Sequence, residues 1–93
     1  MTGYAHLGDD ELRDIGRLRC LVPGCGRTFK CEPSIEQTIC GPHWRLADRR
    51  VRQLMTRVRR KGSRRGWSPQ LLALDDRLWR KATAQAIERA MGL

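Results

Sequence analysis

This sequence has little with which to build a core. Only five residues are aromatic, Tyr4, Phe29, Trp44, Trp67 and Trp79, in a chain of 93. A chain this short buries a limited apolar area and often needs a metal or disulfides as a staple. It also lacks any apolar run of 18 residues, which excludes a membrane-spanning helix. The opening "MTGYAHLGDDELRDIG" is acidic and has no apolar stretch, so it does not read as a signal peptide. The expected setting is therefore the cytoplasm, where thiols stay reduced and clustered cysteines read as metal ligands rather than disulfides.

What is present is concentrated. Four cysteines and a histidine fall between positions 20 and 43. Cys20 and Cys25 are separated by "LVPG", Cys40 and His43 by "GP", and fourteen residues lie between the pairs. Two close pairs divided by a short excursion supply the four tetrahedral ligands that zinc takes. Pro23-Gly24 turns the chain between the first two sulfurs, and Gly26 relieves crowding beside the second. Pro42 suits a first helical turn. That would place Cys40 and His43 three apart on one helix face, with the positive helix end favouring the Cys40 thiolate. Cys31 is a fifth candidate. It could replace His43 in an all-cysteine site or remain a small, part-buried thiol. The expected cofactor is one structural zinc ion.

"CLVPGCGRTFK" resembles the first half of a Cys-Cys-His-His zinc finger: a four-residue spacer, a glycine after the second cysteine, an aromatic shortly beyond. The second half departs from that pattern, since "CGPHW" puts a Cys-x-x-His pair at a helix start. The combination is similar to a treble-clef finger, in which a knuckle and β-hairpin precede a helix whose first turn carries two ligands. It also resembles small zinc-finger proteins of phages and prophages that carry a "CGxHW"-like segment followed by arginines. These resemblances cover residues 18 to 60. They imply a zinc-stapled hairpin and say little about biological role.

The implied fold class is α+β, mostly α: a treble-clef-like β-hairpin continued into a two-helix hairpin within a single domain. Residues 1–17 form an acidic segment with a short helix from Asp9 to Ile15, capped by Asp9 or Asp10 and ended by Gly16. Residues 18–61 form the finger, with strands at 18–21 and 27–31 and a helix from Pro42 to Lys61. Trp44, Ala47, Val51, Leu54 and Val58 recur on that helix at spacings of three and four, with Met55 beside them. Residues 62–93 supply a linker, in which "KGSRRGW" breaks the helix, and a last helix begun by Ser68-Pro69. That helix carries Leu71, Leu74, Leu78, Ala82 and Ile87 on one face, with Leu72, Trp79, Ala86 and Ala90 broadening it. Trp67 is expected to pack back as a hydrophobic staple rather than to stack on a base.

Charge points to a partner. Residues 45 to 65 hold ten cations and one anion, Asp48, so their net charge of +9 equals that of the whole chain. Nine of the ten are arginines, whose planar forks suit phosphates and guanine edges. Arg45, Arg49, Arg50, Arg52, Arg57, Arg59, Arg60, Lys61, Arg64 and Arg65 form the expected nucleic-acid-binding set. Solvated helix faces ordinarily mix signs, whereas self-repulsion on this scale favours a polyanion. The expected partner is nucleic acid, DNA in preference to RNA. The alternative is a zinc-stabilised adaptor docking on an acidic protein, such as a viral or transcription component. Neither a membrane nor a small-molecule substrate is expected.

An enzyme is not expected. The nearest enzymatic resemblance is to metal-dependent nucleases of the His-Asn-His type, which also join a zinc finger to a ββα element. Such a site needs a catalytic histidine beyond the structural ligands. Only His6, in the N-terminal tail, would be left, and the chain contains no asparagine. Asp75 and Asp76 suit helix-dipole compensation and salt bridging.

Overall fold

The computed structural model describes Tyr4 and residues 6–92. Met1, Thr2, Gly3 and Ala5 of the acidic segment, and Leu93, lie outside the described residues. The chain divides into two compact units, Met1–Gly41 and Pro42–Leu93.

The first unit holds one short helix, α1 (Asp9–Asp14), and two strands, β1 (Arg17–Arg19) and β2 (Thr28–Lys30). The helix is capped by Gly8 rather than by Asp9 or Asp10. The Glu11 carboxylate accepts the Gly8 N–H at 3.1 Å, so an acid three residues on takes the capping role. The strands pair antiparallel with Arg17 opposite Lys30, Leu18 opposite Phe29 and Arg19 opposite Thr28. The Cys20 N–H donates to the Arg27 carbonyl and the Cys31 N–H to that of Gly16, extending the pairing at both ends. Arg17 donates to the Thr28 hydroxyl at 3.0 Å and lies 4.3 Å from the Tyr4 ring centroid. Arg19 pairs with Asp9 and bonds the Leu7 carbonyl. Among the described residues of this unit the buried apolar ones are few: Leu12, Cys20, Val22 and Cys40.

The second unit is helical: α2 (Gly41–Trp44), α3 (Arg49–Arg65) and α4 (Pro69–Ala90). The single helix expected from Pro42 to Lys61 is thus two helices. Asp48 divides them, because its carboxylate accepts the N–H groups of Arg50 at 2.7 Å and Val51 at 3.4 Å and starts a new helix. Those bonds hold Asp48 below the usual carboxylate range. The stability they contribute is present above that range and declines as pH falls through the lowered value. The Asp48 N–H itself donates to Gln85 Oε1 at 2.9 Å on α4.

At its other end α3 runs through Gly62 and Ser63, where a break was expected, and stops at Gly66 (φ 90°). Glycine inside a helix costs about 1 kcal/mol relative to alanine. Here it is required by the close approach of Trp67: a Cβ on Gly62 would stand 2.3 Å from Trp67 Cε2. Trp67 does pack back, as expected, but onto α3. Ser68 caps α4, accepting the Leu71 N–H at 3.1 Å, with Pro69 in the first turn.

Helices α3 and α4 pack together. The buried line on α3 is Val51, Met55, Val58 and Gly62; Leu54, expected in the stripe, is 43% exposed. A one-residue rotation of the stripe accounts for this, since Met55 follows Val51 by four and precedes Val58 by three. On α4 the small residues Ala82, Thr83 and Ala86 are buried, Leu71, Leu74, Leu78 and Ile87 are half-buried, and Leu72 is exposed. Trp44 and Trp79 stack with centroids 5.7 Å apart. Among the described residues no helix is long and apolar enough to cross a membrane.

Candidate functional site

The loop between β1 and β2 brings the first two sulfurs together. The Cys25 N–H donates to the Val22 carbonyl at 3.1 Å, closing a turn over Pro23 and Gly24. Gly24 has φ 80°, the third-position conformation of a type II turn that glycine adopts without strain. From the other side, a bridge between Cys20 and Thr38 carries the chain to Cys40, and the Cys40 N–H donates to Cys20 Sγ at 3.3 Å. His43 follows within α2. One ligand atom from each of Cys20, Cys25, Cys40 and His43 lies within 4.8 Å of the other three.

The donor set and its spacing fit a tetrahedral metal ion. Thiolates about 2.3 Å from zinc stand about 3.8 Å from each other across a tetrahedral edge. Cys25 Sγ and Cys40 Sγ are 3.8 Å apart. A disulfide would hold them about 2 Å apart, and the cysteines are free. Cys20, Cys25, Cys40 and His43 are therefore positioned to hold one metal ion, and zinc suits three sulfurs and one imidazole. Cys31 is outside this group. It lines a separate shallow depression with Gly16, Leu18, Glu32, Pro33 and Ile35.

Backbone and side-chain donors surround the sulfurs. Burial pushes the Cys20 thiol up, against hydrogen bonds from the backbone of Cys40 and Val22 that favour the thiolate. Burial would also raise Cys25, but the Arg27 backbone, the neighbouring thiols and the Arg27 guanidinium together bring it below the usual thiol range. Arg27 Nη1 stands 3.7 Å from Cys25 Sγ and 3.6 Å from Cys40 Sγ. Three thiolates and an imidazole around a divalent ion would leave a net charge of −1, which the Arg27 guanidinium would oppose. Reading the sequence for ligands alone passes over this residue; the available signal was a cation directly after Cys25-Gly26. Partners of this kind typically change metal affinity by about 10- to 100-fold. Arg27→Met is expected to weaken metal binding roughly tenfold in competition with a chelator. An unchanged affinity would reduce the guanidinium to a bystander.

The cations of the expected binding set fall into two groups. Arg52 Nε donates to the Ala47 carbonyl at 3.1 Å. Arg59 Nε pairs with Asp75 at 3.0 Å, and its guanidinium lies 5.9 Å from the Trp79 ring centroid. Both are engaged within the helical unit. Arg49, Arg50, Arg57, Arg60, Lys61, Arg64 and Arg65 are exposed, and among the described residues their side chains make no ion pair or hydrogen bond. Arg57, Arg60, Lys61, Arg64 and Arg65 line one open depression along the C-terminal half of α3. Arg45 is exposed in the turn between α2 and α3. Asp76 pairs with Arg80 one turn along α4 at 2.9 Å, so both acids of the Asp75-Asp76 pair serve as salt-bridge partners.

Comparison of this chain with known protein families, with curated proteins and with solved structures yields no match.

Proposed function

We propose that this protein is a small zinc-stapled nucleic-acid-binding protein in which α3 supplies the binding surface. The observation that carries the reading is the set of seven exposed, unengaged cations on one 17-residue helix. Cations gathered on one side repel one another, and a polyanion relieves that repulsion while releasing its own counterions. The metal's part in this reading is structural. Cys20, Cys25, Cys40 and His43 would fill all four positions of a tetrahedral zinc ion, leaving no open site for a water nucleophile. The zinc would organise the chain around the cysteine loop, and the arginines would meet phosphate.

The test is a salt series. The zinc-loaded chain is expected to bind fluorescent nucleic acid with an affinity that falls steeply with salt. Replacing Arg50, Lys61 and Arg65 by glutamine should flatten the log–log slope by about 3, roughly one unit for each lost phosphate contact. The thermal midpoint should be unchanged, because none of the three side chains touches a protein partner. Absence of binding at low salt, with the protein folded and zinc-loaded, would leave the helix as a docking surface for an acidic protein.

A further inference from the structure

The inference drawn from α3 rests on its reading as a nucleic-acid-binding surface. On a helix turning about 100° per residue, Val51, Met55, Val58 and Gly62 fall on one buried line. Diametrically opposite stand Arg49, Gln53, Arg57, Arg60 and Arg64, all exposed. This ridge is about 22 Å long at 1.5 Å per residue. It is not uniformly cationic. Gln53 interrupts it one turn from the N-terminal end, with Leu54 beside it at 43% exposure. Neither side chain serves the core, and neither neutralises a phosphate.

The flanks differ. Arg50, Lys61 and Arg65 stand unengaged on one side of the ridge, whereas Arg52 and Arg59 on the other are tied to Ala47 and Asp75. The helix therefore offers a central ridge able to make directed contacts and one flank of unengaged charge. No aromatic residue lies on α3. Trp44 and Trp79 stack on each other, and the Trp67 indole lies against Gly62. A row of bases splayed from a single strand needs stacking platforms, and this face has none.

We propose that the partner is duplex B-form DNA and that α3 lies in its major groove. In this geometry Gln53, Arg57 and Arg60 face base edges, and Arg50, Lys61 and Arg65 meet the phosphates of one strand. An α-helix is about 10–12 Å across with its side chains, and the B-DNA major groove is about 12 Å wide. The corresponding groove of A-form RNA is too deep and narrow for side chains to read. Glutamine pairs in bidentate fashion with adenine, arginine with guanine, and an apolar side chain contacts the thymine methyl. Gln53 thus supplies what a purely electrostatic surface does not need.

The experiment uses the full zinc-loaded chain. Its affinity is measured on a 20-base-pair random duplex DNA, the matching single strand and the matching duplex RNA at one salt concentration. A consensus duplex is then selected from a randomised pool and compared with random duplex for the unaltered protein and for Gln53→Ala. Binding to duplex DNA should exceed the other two forms by at least about tenfold, and the pool should yield a consensus. Gln53→Ala should lose roughly tenfold of the preference for consensus over random duplex. Affinity for random duplex should hardly change, and circular dichroism should confirm the fold. Equal binding to all three forms, a pool without a consensus, or a preference insensitive to Gln53→Ala would overturn the groove proposal while steep salt dependence still upheld nucleic-acid binding. Binding to none of the three would overturn both.

Discussion

Exchanging Cys40 for serine is expected to abolish stoichiometric zinc retention and unfold the first unit, and chelation of the unaltered protein should do the same. The magnitude follows from how little else holds that unit together. Among the described residues its buried apolar side chains are Leu12, Cys20, Val22 and Cys40, two of which belong to the cluster positioned to hold a metal ion. Its strands are three residues each, and it has no disulfide. Structural zinc contributes about 10–16 kcal/mol in small finger peptides, as much as the whole stability of an ordinary domain. A metal held only by the folded state would lend that energy to folding, so its removal would withdraw it.

The helices α3 and α4 have their own core of Val51, Met55, Val58, Ala82 and Ala86. The far-ultraviolet helical signal should therefore fall only in part, while amide protection in β1 and β2 disappears. Cobalt substitution offers a second readout, since thiolate coordination absorbs visibly and loss of Cys40 removes one sulfur donor. Cys31→Ser should keep one equivalent of metal. Protected hairpin amides under excess chelator, or full metal retention by the Cys40 variant, would end the structural-zinc reading.

The second large effect is a reversal of sign. Gly62→Ala would ordinarily stabilise a helix interior by about 1 kcal/mol. Here the new Cβ would meet three ring atoms of Trp67, Cε2, Cδ2 and Cζ2, at 2.3, 2.5 and 2.6 Å. The indole must leave its seat, exposing itself and the turn of α3 beneath it. Overpacking of this kind costs about 1–3 kcal/mol, so the net result should be destabilisation of about 1 kcal/mol after the propensity gain. In a Trp67→Ala background the obstacle is gone, and Gly62→Ala should stabilise by up to about 1 kcal/mol. Urea melts of the unaltered protein and the three variants measure this coupling directly. Stabilisation by Gly62→Ala with Trp67 present would show that the ring does not depend on the glycine.

Much of this protein follows from local chemistry and was legible as such. The spacing within each pair, Cys20 to Cys25 and Cys40 to His43, pointed to metal ligands because a turn and a helix start place near neighbours by sequence distance; that His43 rather than Cys31 joins the three cysteines was decided by the tertiary structure. Pro23-Gly24 specified its turn, Ser68-Pro69 its helix start, and the run from Arg45 to Arg65 the location of the excess charge. What needed tertiary structure was every choice between locally equivalent options. Asp48 could have been a residue in mid-helix; it became a cap because its carboxylate accepts two backbone N–H groups while its own N–H reaches Gln85. Gly62 reads as a helix breaker until Trp67 is seen to occupy the space of its absent side chain. Leu54 and Met55 are equally apolar neighbours, and only the facing helix selects which is buried. Which arginines remain available for a partner was likewise decided by Ala47, Asp75 and Trp79, groups distant in sequence from some of the cations they engage. Short-range geometry is written in residue spacing; packing against a distant element is not.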